Sequence, residues 1–211
     1  MANWVAKSAN LLVDGLGSPE RVGLLLPLHW QSFALLLASV STGAEVVLAG
    51  EPAELAGCAA AFVLGEDASA ALDAGVDDVF ALSGHPLGAR VATTLPALPG
   101  LVLDYAVEVP SYADHFGGTR PGPARVGVGG ARGGGQLVVP MPGFGSQDRV
   151  LTALALSDPA GAALALGVLH GGGSLVLLAG GHPAKSAAGV SRAERVTQTA
   201  GVDVPGLTRR A

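Results

Sequence analysis

The residues that could do chemistry in this 211-residue chain are few and scattered. The run Gly127-Val-Gly-Gly-Ala-Arg-Gly-Gly-Gly135 is rich enough in glycine to curl backbone N–H groups around a phosphate. It misses the G-x-G-x-x-G spacing of a dinucleotide turn, because Arg132 stands where the third glycine belongs. It reads first as a flexible turn. Gly180-Gly-His-Pro-Ala-Lys-Ser186 follows an apolar strand and precedes a helix, the setting of a phosphate loop, but Ala179 and Ala184 fill the places of both motif glycines. His29, His85, His115, His170 and His182 lie far apart and form no H-x-x-x-H pair. Metal ligation is therefore not indicated, and turn or surface positions suit them. The paired acids Glu66-Asp67 and Asp77-Asp78 read as solvated caps at element ends, and only a shared cleft would make them acid/base groups. Cys58 is expected in an Ala-rich helix without a basic neighbour, which describes a buried structural thiol. No G-x-S-x-G nucleophile elbow occurs.

The elements that must position these residues follow from periodicity. Asn3 to Leu16 has helical apolar spacing and a glycine stop. Arg21 to Leu26 is a buried strand ended by Pro27, Trp30 to Thr42 a helix closed by Gly43, and Glu45 to Ala49 the next strand. That makes one β-α-β unit. A helix over Glu51 to Cys58, strands over Ala60 to Leu64 and Val79 to Ala81, and a short helix over Ala68 to Ala74 extend a parallel sheet. Pro86 to Gly135 holds six prolines and reads as strands or loops of uncertain order, with a linker over Gly117 to Gly135.

Composition limits the function classes. Charged residues are 14% and aromatics 4%, glycines number 32, and mean hydropathy is +0.48. Average soluble domains carry roughly a quarter charged residues, so this surface is small and apolar or partly covered. The formal charge of −5 and the dispersed arginines exclude nucleic acid as a main partner. One cysteine excludes an internal disulfide, and Met1-Ala-Asn-Trp-Val starts no secretory signal, so a cytoplasmic location is expected. Val22 to Ala44 and Pro159 to Ala184 are uncharged and long enough to span a bilayer. Their prolines and glycines break them into strand and helix pieces, and buried parallel strands are uncharged anyway. No membrane span is expected.

The first β-α-β unit has an echo. Glu20-Arg-Val22 leads to Thr42-Gly-Ala-Glu-Val-Val-Leu-Ala-Gly50, and Asp148-Arg-Val150 leads to Gly172-Gly-Ser-Leu-Val-Leu-Leu-Ala-Gly180. Both run acid, Arg, Val, strand, Ala/Leu-rich helix, glycine turn, strand. The echo suggests two similar α/β subdomains, although any two such units in an Ala/Leu/Gly-rich chain share much.

Those residues carry a resemblance. Leu11 to Gly50, read as helix, LG-SPERVGLLLP, helix and TGAEVVLAG, resembles the start of the large domain of the acyl-adenylate-forming (AMP-binding, acyl-CoA synthetase-like) enzymes. Asp148 to Gly161, with Gly172 to Leu178, is similar to their later "DRVL…LPLFH..G" stretch. The chain looks like the short bacterial proteins that match only the front of these enzymes. The resemblance implies an α/β fold of two small β-α-β-containing subdomains with mainly parallel sheets. It divides the chain into residues 1–116, a Gly-rich linker or degenerate phosphate-loop region at 117–136, and a shorter subdomain at 137–211 with a loosely ordered tail.

The departures bear on function. The family's phosphate loop, [ST]-S-G-[ST]-T-G-x-P-K-G, falls at Gly117 to Gln136, which here has one Thr, no Ser and no Lys. If a nucleotide binds there, Gly129, Gly130, Gly133 and Gly134 are the expected contacts. In the "LPLFH..G" stretch, Ser157 and Asp158 replace the aromatic and the histidine ahead of Gly161, and these three residues are the expected pocket. The family's adenine, ribose and lid motifs have no counterpart here, so no catalytic residue carries over. The expected function is a non-catalytic or vestigial AMP-binding-like module for an acyl or nucleotide-like small molecule. Two alternatives stand beside it: an acyl-CoA synthetase-type ligase using ATP/AMP and CoA, completed by a partner chain or using a divergent phosphate loop at Gly127 to Gly135, and a protein-interaction subunit or homo-oligomer.

Overall fold

In a computed structural model, residues are described except 92–97, 119–124, 130–135, 180–183 and 211. The chain forms two compact units, Met1–Leu137 and Val138–Ala211.

The N-terminal unit is built on a seven-stranded sheet. Its strands are β1 (Arg21–Leu25), β2 (Glu45–Leu48), β3 (Ala60–Leu64), β4 (Asp78–Leu82), β5 (Val102–Asp104), β6 (Arg125–Val128) and β7 (Gln136–Leu137), in the order β5-β4-β3-β1-β2-β6-β7. Only the β6–β7 pairing is antiparallel. Parallel strands covered on both faces must be apolar throughout, and Ala60, Ala61, Phe62 and Val63 are all buried. Successive side chains alternate between faces. Ala61 and Val63 pack with Val79, Ala81 and the helix α3 (Ala68–Asp73). On the other face Phe62 stacks on Phe80 at 5.1 Å between ring centroids and meets Tyr105 edge-on at 5.7 Å.

Tyr105 opens the one-turn helix α4 (Tyr105–Glu108), capped by Asp104, whose Oδ1 accepts from Ala106 N at 2.9 Å. Its ring also packs on Trp4 of α1 (Ala2–Asn10), and Trp4 meets Trp30 of α2 (Trp30–Thr42) edge-on at 5.2 Å. The Tyr105 and Ser8 hydroxyls are hydrogen-bonded at 2.6 Å in the core. Lys7 fastens α1 further: Nζ donates to the Pro110 carbonyl at 3.0 Å and to that of Tyr112, and pairs with Asp114 at 3.1 Å.

Three elements differ from expectation. The first helix ends at Asn10 and continues as a single wider π turn over Leu11–Gly15, where Gly15 packs against the Tyr112 hydroxyl. The helix expected over 51–58 is only a 3-10 turn, Pro52–Leu55, followed by Gly57 at φ 83°. Four residues fit between Pro52, which fixes the first turn, and the chain reversal that feeds β3. Cys58 is therefore buried in the lead-in to β3, outside any helix. The Pro/Gly-rich stretch supplies β5, α4 and β6.

The C-terminal unit has a four-stranded, wholly parallel sheet of β8 (Arg149–Thr152), β9 (Ser174–Leu177), β10 (Gln198–Ala200) and β11 (Thr208–Arg210), ordered β11-β10-β8-β9. Helix α5 (Pro159–His170) joins β8 to β9, and α6 (Ala184–Ala193) precedes β10. Neighbouring side chains of β8 serve opposite faces: Val150 packs with Leu164 and Val168 of α5, Leu151 with Ala187 and Val196. Gly167 and Gly171 let the 141–144 segment lie directly on α5, since a Cβ at either would collide with the Met141 or Phe144 carbonyl. The β-α-β arrangement of the first unit recurs here: Glu45 N donates to the Glu20 carbonyl at 2.8 Å, and Ser174 N to that of Asp148 at 2.9 Å.

Candidate functional site

In an open parallel sheet, a crevice forms beyond the carboxyl ends of two neighbouring strands whose connections run in opposite directions. The N-terminal unit has such a point between β1 and β3. The chain leaves β1 through α2 to reach β2 on one side, and β3 lies on the other. The crevice there is lined by Pro27, His29, Gln31 and Ser32 from the β1–α2 connection and by Leu64 and Leu82 at the ends of β3 and β4. It is too narrow, as it stands, for a water molecule.

Its polar groups are uncharged and two are unsatisfied. His29 is the N-cap of α2, with Nδ1 accepting from Gln31 N at 3.3 Å. An accepting Nδ1 puts the proton of a neutral ring on Nε2, and Nε2 is buried facing the carbonyls of His85 and Pro86 with no hydrogen bond of good geometry to either. Burial lowers the pKa of His29, the carbonyls of His85 and Pro86 oppose this, and the charge of His85 adds to it. Gln31 is only 2% exposed, and its Oε1 likewise has no partner among the described residues. Ser32 Oγ is committed to the Pro27 carbonyl at 2.8 Å. Buried polar atoms without partners are uncommon and costly. Here one donor and one acceptor stand two residues apart, the complement of a neutral group that both accepts and donates.

A loop over residues 83–91 lies against this site. Trp30 Nε1 donates to the Pro86 carbonyl at 2.9 Å, Ser83 Oγ to that of Ala89 at 2.6 Å, and Val91 N to Asp104 Oδ2 at 2.7 Å. Gly88, at φ 66°, approaches so closely that a Cβ would stand 2.9 Å from Gln31 Nε2 and 3.0 Å from the Trp30 ring.

The residues singled out from sequence are placed elsewhere. Gly129 follows β6 at φ 65°, its N–H donating to the Leu48 carbonyl at 3.0 Å. The carboxylate of Glu54, which accepts from Gly50 N at 2.7 Å, lies against Gly129: a Cβ there would be 2.9 Å from Oε1. Gly130, Gly133 and Gly134 lie outside the described residues, as do residues 180–183 of the second glycine-containing run. Ser157 and Asp158 lie in the β8–α5 connection, the place that His29 occupies in the other unit, and Gly161 is in the first turn of α5. Asp158 Oδ1 caps α5 by accepting from Ala160 N at 2.7 Å, and Gly161 is packed against the Ala155 carbonyl. Asp67 precedes α3 without a side-chain cap bond, and burial and the adjacent Glu66 raise its pKa. Among the described residues no three His, Cys, Asp or Glu side chains cluster to hold a metal, and no helix is long and apolar enough to cross a membrane. His29, expected at a turn or the surface, has its Nε2 buried in this crevice beside Gln31; the signal for the pair in the sequence is the alternation Leu28-His29-Trp30-Gln31 after a buried strand ended by proline.

No family model matches the sequence. A TIGR03089 family protein of Mycobacterium tuberculosis (strain ATCC 25618 / H37Rv) is 41% identical over 118 residues, 55% of this chain and 47% of that protein. The chain thus spans about half the length of this curated relative. Among solved structures, an acyl-CoA synthetase of Brucella canis superposes with a TM-score of 0.70 at 16% identity, covering 94% of this chain and 40% of that one. ATP-bound MatB from Rhodopseudomonas palustris gives 0.66 at 17% identity, covering 95% and 42%. The fold is that of the N-terminal part of adenylate-forming enzymes of the acyl-CoA synthetase type.

Proposed function

We propose that this chain is a non-catalytic binding module on the N-terminal part of the adenylate-forming fold, taking an acyl or nucleotide-like small molecule. The observation that carries this reading is the composition of residues 117–136, where one Thr, no Ser and no Lys stand in the interval expected to hold a triphosphate. Phosphate oxygens are held by N–H groups, hydroxyls and cations placed together; Thr119 is the one hydroxyl of this interval, and its cations are Arg120, Arg125 and Arg132, of which Arg125 faces Glu45. Titration with ATP–Mg²⁺ in a calorimeter tests the reading: millimolar or weaker affinity is expected.

A second reading, an acyl-CoA synthetase-type ligase completed by a partner chain and using ATP and CoA, draws support from the fold likeness across 94% of this chain against 40% of the Brucella canis enzyme. Pyrophosphate exchange by this chain with a fatty or amino acid would overturn the first reading and favour the second.

A further inference from the structure

The C-terminal unit contains a cavity of about 430 Å³ between the end of α6 and the segment after β10. Ser191, Arg192 and Arg195 supply its polar wall, and Val196, Val204 and Leu207 its apolar one. This volume lies within the range of small-molecule sites, as does the combination of apolar lining with a few polar groups.

Ser191 is 5% exposed, and its Oγ is buried with no partner among the described residues. A serine inside a helix ordinarily donates to the carbonyl four residues back. Ser8, Ser39 and Ser41 of this chain all do so, at 2.7, 2.9 and 2.7 Å; Ser191 does not. The two arginines are exposed at the rim of this cavity and have no ion pair among the described residues, which leaves both guanidinium groups open to an incoming anion. Arg195 also sits at φ 53°, in the turn that closes α6 through the Val196 N to Ser191 carbonyl bond of 2.9 Å. Glycine is the usual residue in that conformation. Favourable interaction with the helix C-terminus explains positive charge there, but it leaves the buried hydroxyl unexplained.

We propose that this cavity binds a small organic anion with an apolar body. Arg192, Arg195 and the Ser191 hydroxyl hold the oxyanion, and Val196, Val204 and Leu207 cover the aliphatic part. Carboxylate and phosphate present the same chemistry to these donors. The site lies wholly within the C-terminal unit and does not depend on the reading given for the crevice beside His29.

Calorimetric titration of the full chain with octanoate and with octyl phosphate tests the proposal, and the tighter of the two identifies the headgroup. Saturable binding is expected, weakened about tenfold or more in the Arg192→Gln/Arg195→Gln double variant and several-fold in Ser191→Ala. Octanol and acetate, each lacking half of the required chemistry, should bind at least tenfold more weakly. Wild-type binding should also weaken as salt rises, a readout that needs no variant to fold. Absence of saturable binding by both amphiphiles, affinity unchanged in the double variant, octanol binding as tightly as octanoate, or affinity insensitive to salt would each overturn it.

Discussion

Two single side chains give the N-terminal unit a measurable response to alkali. Burial pushes the Tyr105 phenol from an ordinary 10.0 to about 12, although its hydrogen bond with Ser8 works the other way. Burial likewise pushes the Cys58 thiol from 9.0 to about 11, with Arg21 lowering it and Glu45 raising it. Each group is held neutral in the folded chain, so the unfolded chain releases its proton first as pH rises. Their contribution to stability is complete below the unfolded values and is lost over pH 9 to 11 for Cys58 and 10 to 12 for Tyr105. Each window corresponds to roughly 2–3 kcal/mol. Urea midpoints measured from pH 8 to 12 should fall steeply in the wild type. In Cys58→Ala the early part of the fall should flatten, and in Tyr105→Phe the later part; identical curves for all three would refute the assignment.

At the scale of elements, the same device starts α2 and α5: a side chain at the end of a β-strand connection accepts from the backbone N–H two residues on. For α5 that side chain is Asp158. Asp158→Ala should destabilise the C-terminal unit by about 1 kcal/mol, read from the thermal midpoint. Ser157→Ala, one residue earlier and making no cap bond, should leave stability nearly unchanged. Apart from the helix expected over 51–58, the strands and helices between Arg21 and Leu82 were legible in the sequence because their apolar runs are bounded by Pro, Gly and acids. β5 and β6 were not legible, since three or four residues among prolines and glycines become strands only through pairing with β4 and β2. The crevice was hidden for a related reason. His29 and Gln31 border it only because β3 returns to the far side of β1, and no local pattern announces that strand order.

Across the whole molecule, the scarcity of charge is what buried parallel strands and close-packed glycine-bearing helices require. The mainly parallel α/β architecture was legible from composition and from the two Arg-Val strands for that reason. The same scarcity leaves little charge to keep molecules apart. With a formal charge of −5 at pH 7 and a pI near 5.4, repulsion vanishes close to that pH while Leu87, Leu101 and Val139 remain exposed. Turbidity of a concentrated sample scanned from pH 4 to 8 should peak near 5.4, and a flat profile would contradict this.

The contacts that fasten α1 also set an order of assembly. Ser8 waits for Tyr105, 97 residues later, and Lys7 for Pro110, 103 residues later. Chains emerge from the ribosome at about 5–20 residues per second. Helix α1 is thus made well before Tyr105, and its aromatic face, Trp4 included, stays without that partner for several seconds. During synthesis α1 is a sticky segment that waits for its partners, and a chaperone that shields nascent chains would have a long opportunity there.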